Sequence, residues 1–453
     1  MPNTRRLHNT LQVNHLYQNN GLIMRRDLLH ENAGNLKYEI REIVSVANQL
    51  EELGVALTWE NIGDPVPKGD GPPLWIREIV GEIVADPGSW GYCQTAGVEA
   101  TREFLAQQVN ARGGVQIQPD QINFYNGLGD AVAKVYGLLK REARVLGPSP
   151  SYSTHSSAEA SHSGYAQCSY HLDPLNGWMP DMKEVRKQVQ YNDSIAGIAL
   201  LSPDNPTGAV YPREILEEFA EIAREFDLFI ISDEIYANLV HDGTFLHASQ
   251  WVGEVPTIAM KGISKEYPWP GGRCGWIEIL NREQDANFAA YADSLLAAKR
   301  LEVSSTTLPQ LSIPRVVGDE RYPAHLAQRQ QQYARRADEV AEEFRGVDGV
   351  IVNKPAGAFY FTVMFEPGVL NDSQSLTIEN RQVRERIEAQ VTGVPADKRF
   401  VYYLMGATGI VVVPLTGFHC HHPGFRATLL EHDDEKRKWM LQTLRRSIQE
   451  YTS

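Results

Sequence analysis

Apolar and polar positions along the chain follow two rhythms. Between about residues 72 and 315, short apolar runs such as those over 195–201 and 226–232 alternate with stretches of helical period. Continuous apolar runs of that length predict strands buried on both faces, and strands alternating with helices predict an α/β domain with a mostly parallel sheet. Further on, the spacing predicts helices over 328–344 and 434–451 with a strand over 358–364 between them, the segregated pattern of an α+β unit. Residues 39–53 read as an amphipathic helix that returns to this second unit. The expected organisation is therefore a large domain over 72–315 and a small domain built from 36–71 and 316–453, with a site between them. Residues 1–35 carry many Asn, His and Arg and no period, which predicts an arm. The charged stretch 371–400 reads as a surface insertion.

Composition narrows the class. A chain of 453 residues with 42% hydrophobic content buries a large core, and a net charge of −14 without a basic block argues against nucleic acid. The Arg335-Arg336 and Arg445-Arg446 pairs read as solvated helix faces. No apolar run approaches the roughly 20 residues of a membrane span, and no signal-peptide core begins the chain, so a cytoplasmic protein is expected. Cysteines at 93, 168, 274 and 420 are too scattered for a disulfide framework. The run His419-Cys-His-His422 lacks ligand partners at zinc-like spacing, and no metal is expected.

Candidate chemistry gathers around Lys265, in the run Ser264-Lys265-Glu-Tyr-Pro-Trp-Pro-Gly-Gly-Arg273. A lysine amine captures an aldehyde only when unprotonated, which requires burial or a nearby cation such as Arg273. Asp233, closing the apolar run before it, is placed to hold a pyridine nitrogen in its protonated form at the carboxyl edge of a sheet. Asn205, in Asn205-Pro-Thr-Gly208, sits on a turn after another apolar run, where its amide and the Tyr236 hydroxyl can reach a ring oxygen. Gly127-Leu128-Gly129, between a strand-like and a helix-like stretch, offers backbone amides to a phosphate, with Ser264 and Arg273 adding a hydroxyl and charge. Each fragment alone is an ordinary turn or strand end. Their joint order points to pyridoxal phosphate. A nicotinamide site is excluded because Gly127-Leu-Gly129 lacks the third glycine.

At these residues the chain resembles the class I/II aminotransferases of pyridoxal phosphate fold type I, from about residue 36 to the end. That fold implies a mostly parallel seven-stranded sheet in the large domain. The resemblance implies that Lys265 forms the Schiff base, Asp233 pairs with the pyridine nitrogen, and Asn205 and Tyr236 hold the ring oxygen. Leu128, Gly129, Ser264 and Arg273 would hold the phosphate, and Tyr152 would stack on the ring. Tyr92 matches a tyrosine that reaches the neighbouring subunit's phosphate, which implies a homodimer with shared sites. Gly63 and Arg426 match positions at the substrate carboxylate, the latter a bidentate grip. Tyr38-Glu-Ile-Arg41, Gly208-Ala-Val-Tyr211, Ala297-Ala-Lys-Arg-Leu301 and Phe425-Arg-Ala-Thr-Leu429 look most like bacterial alanine (glutamate:pyruvate) aminotransferases. Ping-pong transfer from an alanine-type donor to 2-oxoglutarate is the implied reaction. A lyase or decarboxylase on the same fold, or a silent cofactor-binding regulator, would carry the same cofactor residues. Arg300 loosely matches an arginine that some dicarboxylate-specific relatives extend across the dimer, while its bare context reads as helix surface. Two departures stand out: Gly262 replaces a phosphate-binding serine, and the segment from Glu266 to Gly271 is unusually bulky and proline-rich.

Overall fold

The computed structural model describes residues 39–453; the arm expected over 1–35 lies outside them. Its strands are β1 (Thr58–Trp59), β2 (Ile122–Tyr125), β3 (Arg144–Ser149), β4 (Ser169–Asp173), β5 (Met179–Pro180), β6 (Ile195–Leu201), β7 (Phe229–Asp233), β8 (Thr257–Gly262), β9 (Gly275–Leu280), β10 (Val350–Ile351), β11 (Tyr360–Phe365), β12 (Ile410–Val411), β13 (Val413–Pro414) and β14 (Gly424–Thr428).

The larger sheet has the order β2-β9-β8-β7-β6-β3-β4-β5. Parallel pairing joins β4, β3, β6, β7 and β8, whereas β9 runs antiparallel to both β8 and β2. Eight strands stand where seven were expected. The extra one, β5, is a two-residue antiparallel strip on β4, formed as the chain turns back toward the helix Met182–Gln190. The apolar run over 226–232 also divides differently. Helix Arg213–Glu225 consumes its approach and Asp227 takes a left-handed φ of 55°, so β7 begins at Phe229.

Alternate side chains of β6 and β7 enter different cores: Ile198, Leu200 and Ile230 one, Ala199, Phe229 and Ile231 the other. Burying an isoleucine or leucine contributes about 1.5–3 kcal/mol, which explains why these strands carry no polar face. Helix Arg213–Glu225 covers the first core with Leu216, Phe219, Ala220 and Ala223 at helical spacing.

A second, antiparallel sheet has the order β10-β11-β14-β13, and β1 pairs in parallel with β12. Its core joins Val46 and Leu50 of helix Glu39–Glu52 to Phe361, Phe400, Phe425 and Leu444. The stretch 371–400 is no surface insertion. Leu376, Ile378, Val383 and Ile387 enter this core, and the charge that marked the segment lies on the outer face of helix Arg381–Gln390.

Helix Tyr322–Glu343 begins six residues before its expected start, with Pro323 in its first turn, where a missing N–H costs nothing. It spans both cores: Tyr322 packs into the first, Tyr333, Ala337 and Val340 into the second.

Candidate active site

Asp233 is the last residue of β7, and the chain leaves the adjacent β8 at Gly262, three residues before Lys265. Both side chains therefore emerge at the carboxyl edge of the parallel strands, where an open sheet leaves a crevice. The Lys265 amine donates to the Gly63 carbonyl at 2.7 Å and lies 5.5 and 5.8 Å from the Phe359 and Tyr236 ring centres. Burial, helped by the Arg426 and Arg273 cations, lowers its pKa to about 8. Arg273 was the cation expected from sequence; desolvation is the larger cause.

Asp233 is buried and fully engaged. One oxygen accepts from the Ile235 backbone N–H at 3.1 Å, while the other lies 2.9 Å from His155 Nε2. The Tyr136 hydroxyl stands 3.4 Å from the far ring nitrogen of that histidine. His155 was missed from sequence. The available signal was its place three residues after Tyr152, which lies at the start of helix Ser153–Ser163 and so puts position 155 on that helix's first turn.

Helix Leu128–Gly137 starts at Gly127, whose φ of 86° suits glycine alone. The close approach behind it is equally demanding. A Cβ at Gly127 would meet Arg273 Nη2 at 2.4 Å, and one at Gly275 would meet the Leu128 backbone nitrogen at 2.9 Å. Leu128 and Gly129 supply first-turn N–H groups, which a helix leaves without internal acceptors, and nothing crowds Gly129. Arg273 is exposed, its φ of 46° turns it over this terminus, and Nη1 donates to the Pro270 carbonyl at 3.1 Å. Ser264 is half-buried in the turn before Lys265. Gly262 has a local reason: a side chain there would meet the Cys274 carbonyl at 3.0 Å and Ile235 at 3.1 Å.

Asn205 is aimed by its turn. Gly208 has a φ of 73°, and a Cβ on it would strike Pro355 at 2.4 Å and the Tyr360 carbonyl at 2.9 Å. Asn205 Oδ1 accepts from Arg426 Nη1 at 3.0 Å, and Arg426 Nη2 donates to the Asn61 carbonyl. The Arg426 guanidinium lies 4.4 Å from the Tyr360 ring centre and 5.0 Å from Phe418, fully buried, with Nε lacking any protein acceptor. Tyr360, a second residue that motif reading missed, hydrogen-bonds through its hydroxyl to the Tyr236 hydroxyl at 3.0 Å. Burial, with Tyr360 adding to it, pushes the Tyr236 phenol well above its ordinary range, so it remains a neutral donor at pH 7. Gly63 is required here because a side chain would overlap the Tyr360 hydroxyl. Tyr152 is half-buried near both phenols.

Two positions singled out from sequence, Tyr92 and Arg300, fall outside this cluster. Tyr92 is 86% exposed, and Arg300 is exposed at the end of helix Ala286–Arg300. In the histidine run, Ser149 Oγ donates to the His419 carbonyl at 2.8 Å, and the His421 ring packs 4.9 Å from His171. Among the described residues no three His, Cys, Asp or Glu side chains are arranged to hold a metal ion.

The arrangement fits pyridoxal phosphate. It combines a half-buried amine of lowered pKa, a buried carboxylate, a glycine-opened helix terminus under an arginine and a buried guanidinium with an unused N–H. A sequence profile described as "Aminotransferase class I and II" matches residues 64–444. An uncharacterized aminotransferase of Methanocaldococcus jannaschii is 53% identical over 94% of this chain and 99% of its own length. The glutamate-pyruvate aminotransferase AlaA of Escherichia coli is 28% identical over 76% and 85% of the two chains. Among solved structures, an alanine aminotransferase from Pyrococcus furiosus superposes with a TM-score of 0.81 at 25% identity, covering 93% of this chain and 100% of that one.

Proposed function

The chain belongs to the class I and II aminotransferases, and on that premise we propose that it moves an amino group from an alanine-type L-amino acid to a 2-oxo acid such as 2-oxoglutarate. The observation that carries the site assignment is the half-buried Lys265 side chain, its amine lowered to a pKa of about 8 and held on Gly63 near Asp233 and Arg426. At pH 7 about a tenth of such a lysine is unprotonated, against roughly one part in 3,000 at the ordinary pKa. Pyridoxal phosphate bound there supplies an aldehyde for that amine and a ring that accepts the electron pair released at a substrate α-carbon.

The chain's own residues do the rest. Asp233, held by His155 and the Ile235 N–H, would accept the ring nitrogen's proton as a hydrogen bond. Asn205 and Tyr236 would donate to the ring oxygen. The Leu128 and Gly129 amides, Ser264 and Arg273 would hold the phosphate, and Tyr152 would cover the ring face. Arg426, rigidly seated between Tyr360 and Phe418, grips the substrate α-carboxylate beside Gly63. Once released, the Lys265 amine would be placed to move a proton at the substrate α-carbon, and a single site serving donor and acceptor in turn would give ping-pong kinetics.

The AlaA relative and the Pyrococcus structure support the alanine-type donor. The two-domain division, 72–315 against 36–71 with 316–453, is part of this reading. So is a homodimer. Trp90 (77%), Tyr92, Leu301 (89%) and Val303 (54%) are exposed apolar side chains on two adjoining loops, joined where Thr95 Oγ1 donates to the Val303 carbonyl and Thr307 Oγ1 to the Gly91 carbonyl. A second copy of the chain covering that patch brings Tyr92 to the partner's phosphate. Among the described residues no helix is long and apolar enough to cross a membrane, and the proposed location is the cytoplasm.

Replacing Lys265 with Ala tests the assignment. Turnover with alanine and 2-oxoglutarate is expected to vanish while cofactor still binds; retained turnover would refute it.

A further inference from the structure

Lys265 is held from two directions, by Gly63 directly and by Asp70 of the same connection through Arg329. Its amine donates to the Gly63 carbonyl, and its own backbone carbonyl accepts from Arg329 Nη1 at 2.6 Å. The same Nη1 reaches the Glu266 carbonyl at 3.0 Å, and Nη2 donates to Asp70 at 3.0 Å and contacts the Tyr333 hydroxyl at 3.1 Å. Tyr333 in turn donates to Asp70. Gly63 and Asp70 lie seven residues apart in the connection that follows β1. Arg329 is only 2% exposed, and it sits on helix Tyr322–Glu343 between Tyr322, which packs in the first core, and Tyr333, which packs in the second.

The loop it holds is the bulky, proline-rich run after Lys265, and two residues of the same helix face, Tyr322 and His325, lie against Glu266. Backbone carbonyls exposed by such an irregular loop need donors, and the guanidinium's rigid fork reaches two carbonyls from one nitrogen and a carboxylate from another, a span that an ammonium's single nitrogen lacks.

We propose that Arg329 is a positioning residue: it fixes the backbone of Lys265 against the 63–70 segment, so that the amine and the Gly63 carbonyl keep their register across the junction of the two cores. This rests on the reading of Lys265 as the residue that captures pyridoxal phosphate. A one-ångström misplacement of a reacting group costs on the order of 100-fold, so the effect is expected in rate more than in binding.

The test uses the full chain stripped of cofactor, R329K and D70N variants, and pyridoxal 5'-phosphate as probe, with borohydride reduction and peptide mapping to follow labelling of Lys265. R329K is expected to label at least about tenfold more slowly than the wild type. Its kcat should fall by about 10–100-fold, with KM for alanine within about threefold. D70N, which keeps the guanidinium and loses its anchor, is expected to lie between. Labelling and kcat at wild-type rates in both variants, whatever their melting temperatures, would overturn the positioning role. If R329K does not fold, D70N decides alone, and wild-type behaviour there overturns the proposal. A wild-type chain that carries no label at Lys265 would refute the underlying site assignment instead.

Discussion

At the scale of single residues, the proposed site depends on selective burial. Lys265 loses its charge easily because desolvation outweighs the nearby carboxylates, and the sign of its pH effect follows. In the unfolded chain the amine titrates near 10.5 and in the folded apoprotein near 8, so between those values the unfolded state binds the extra proton. Stability of the cofactor-free wild type, relative to a Lys265→Met variant, should therefore rise as pH climbs from about 8 to 10.5 and be flat below 8; urea titrations of both proteins across that range check it. Arg426 makes a second prediction. Its seat uses the guanidinium's planar fork, so Arg426→Lys should raise KM for the amino donor by roughly 10–100-fold, about 1.5–3 kcal/mol of lost charge-assisted hydrogen bonding. Steady-state kinetics decide it.

At the scale of elements, the connection after β1 is pinned at each end. Glu60, fully buried, accepts from Lys68 at 2.6 Å and from Thr428, and Lys68 also reaches Glu431 at 3.3 Å. Removing the cation leaves the buried Glu60 unpaired while Glu431 keeps Lys436 at 3.1 Å: Lys68→Met should cost about 3 kcal/mol by denaturant unfolding, and adding Glu60→Gln should recover part of it. The same scale shows what could be read beforehand. Lys265, Asp233 and Asn205 were legible as candidates because each sits on a strand end or turn whose local pattern announces it; Arg426, in the middle of β14, was legible only through the family resemblance. His155, Tyr360 and Arg329 were not. Each looks like an ordinary helix or strand residue until a chain segment 78, 124 or 64 positions away is brought beside it. The charge of 371–400 misled for a related reason: an amphipathic helix displays its polar face in composition and hides Val383 and Ile387 in periodicity.

At the scale of the whole molecule, the alternation of strands and helices was enough to place a parallel sheet and a second α+β unit. Register and the extra strand β5 depended on long-range packing. The exposed patch of Trp90, Tyr92, Leu301 and Val303 predicts assembly: sedimentation should find a dimer, and a Trp90→Glu, Leu301→Glu variant should dissociate to monomers of sharply lower activity, since Tyr92 then serves no neighbour. The most direct measurement of the central claim is a half-reaction. Protein loaded with pyridoxal phosphate is mixed with alanine and no oxo acid, and its visible spectrum and released pyruvate are followed before 2-oxoglutarate is added. The account predicts stoichiometric pyruvate with a spectral change that 2-oxoglutarate reverses. Ammonia or carbon dioxide released continuously without an acceptor, or a spectrum unmoved by alanine and by glutamate alike, would contradict it.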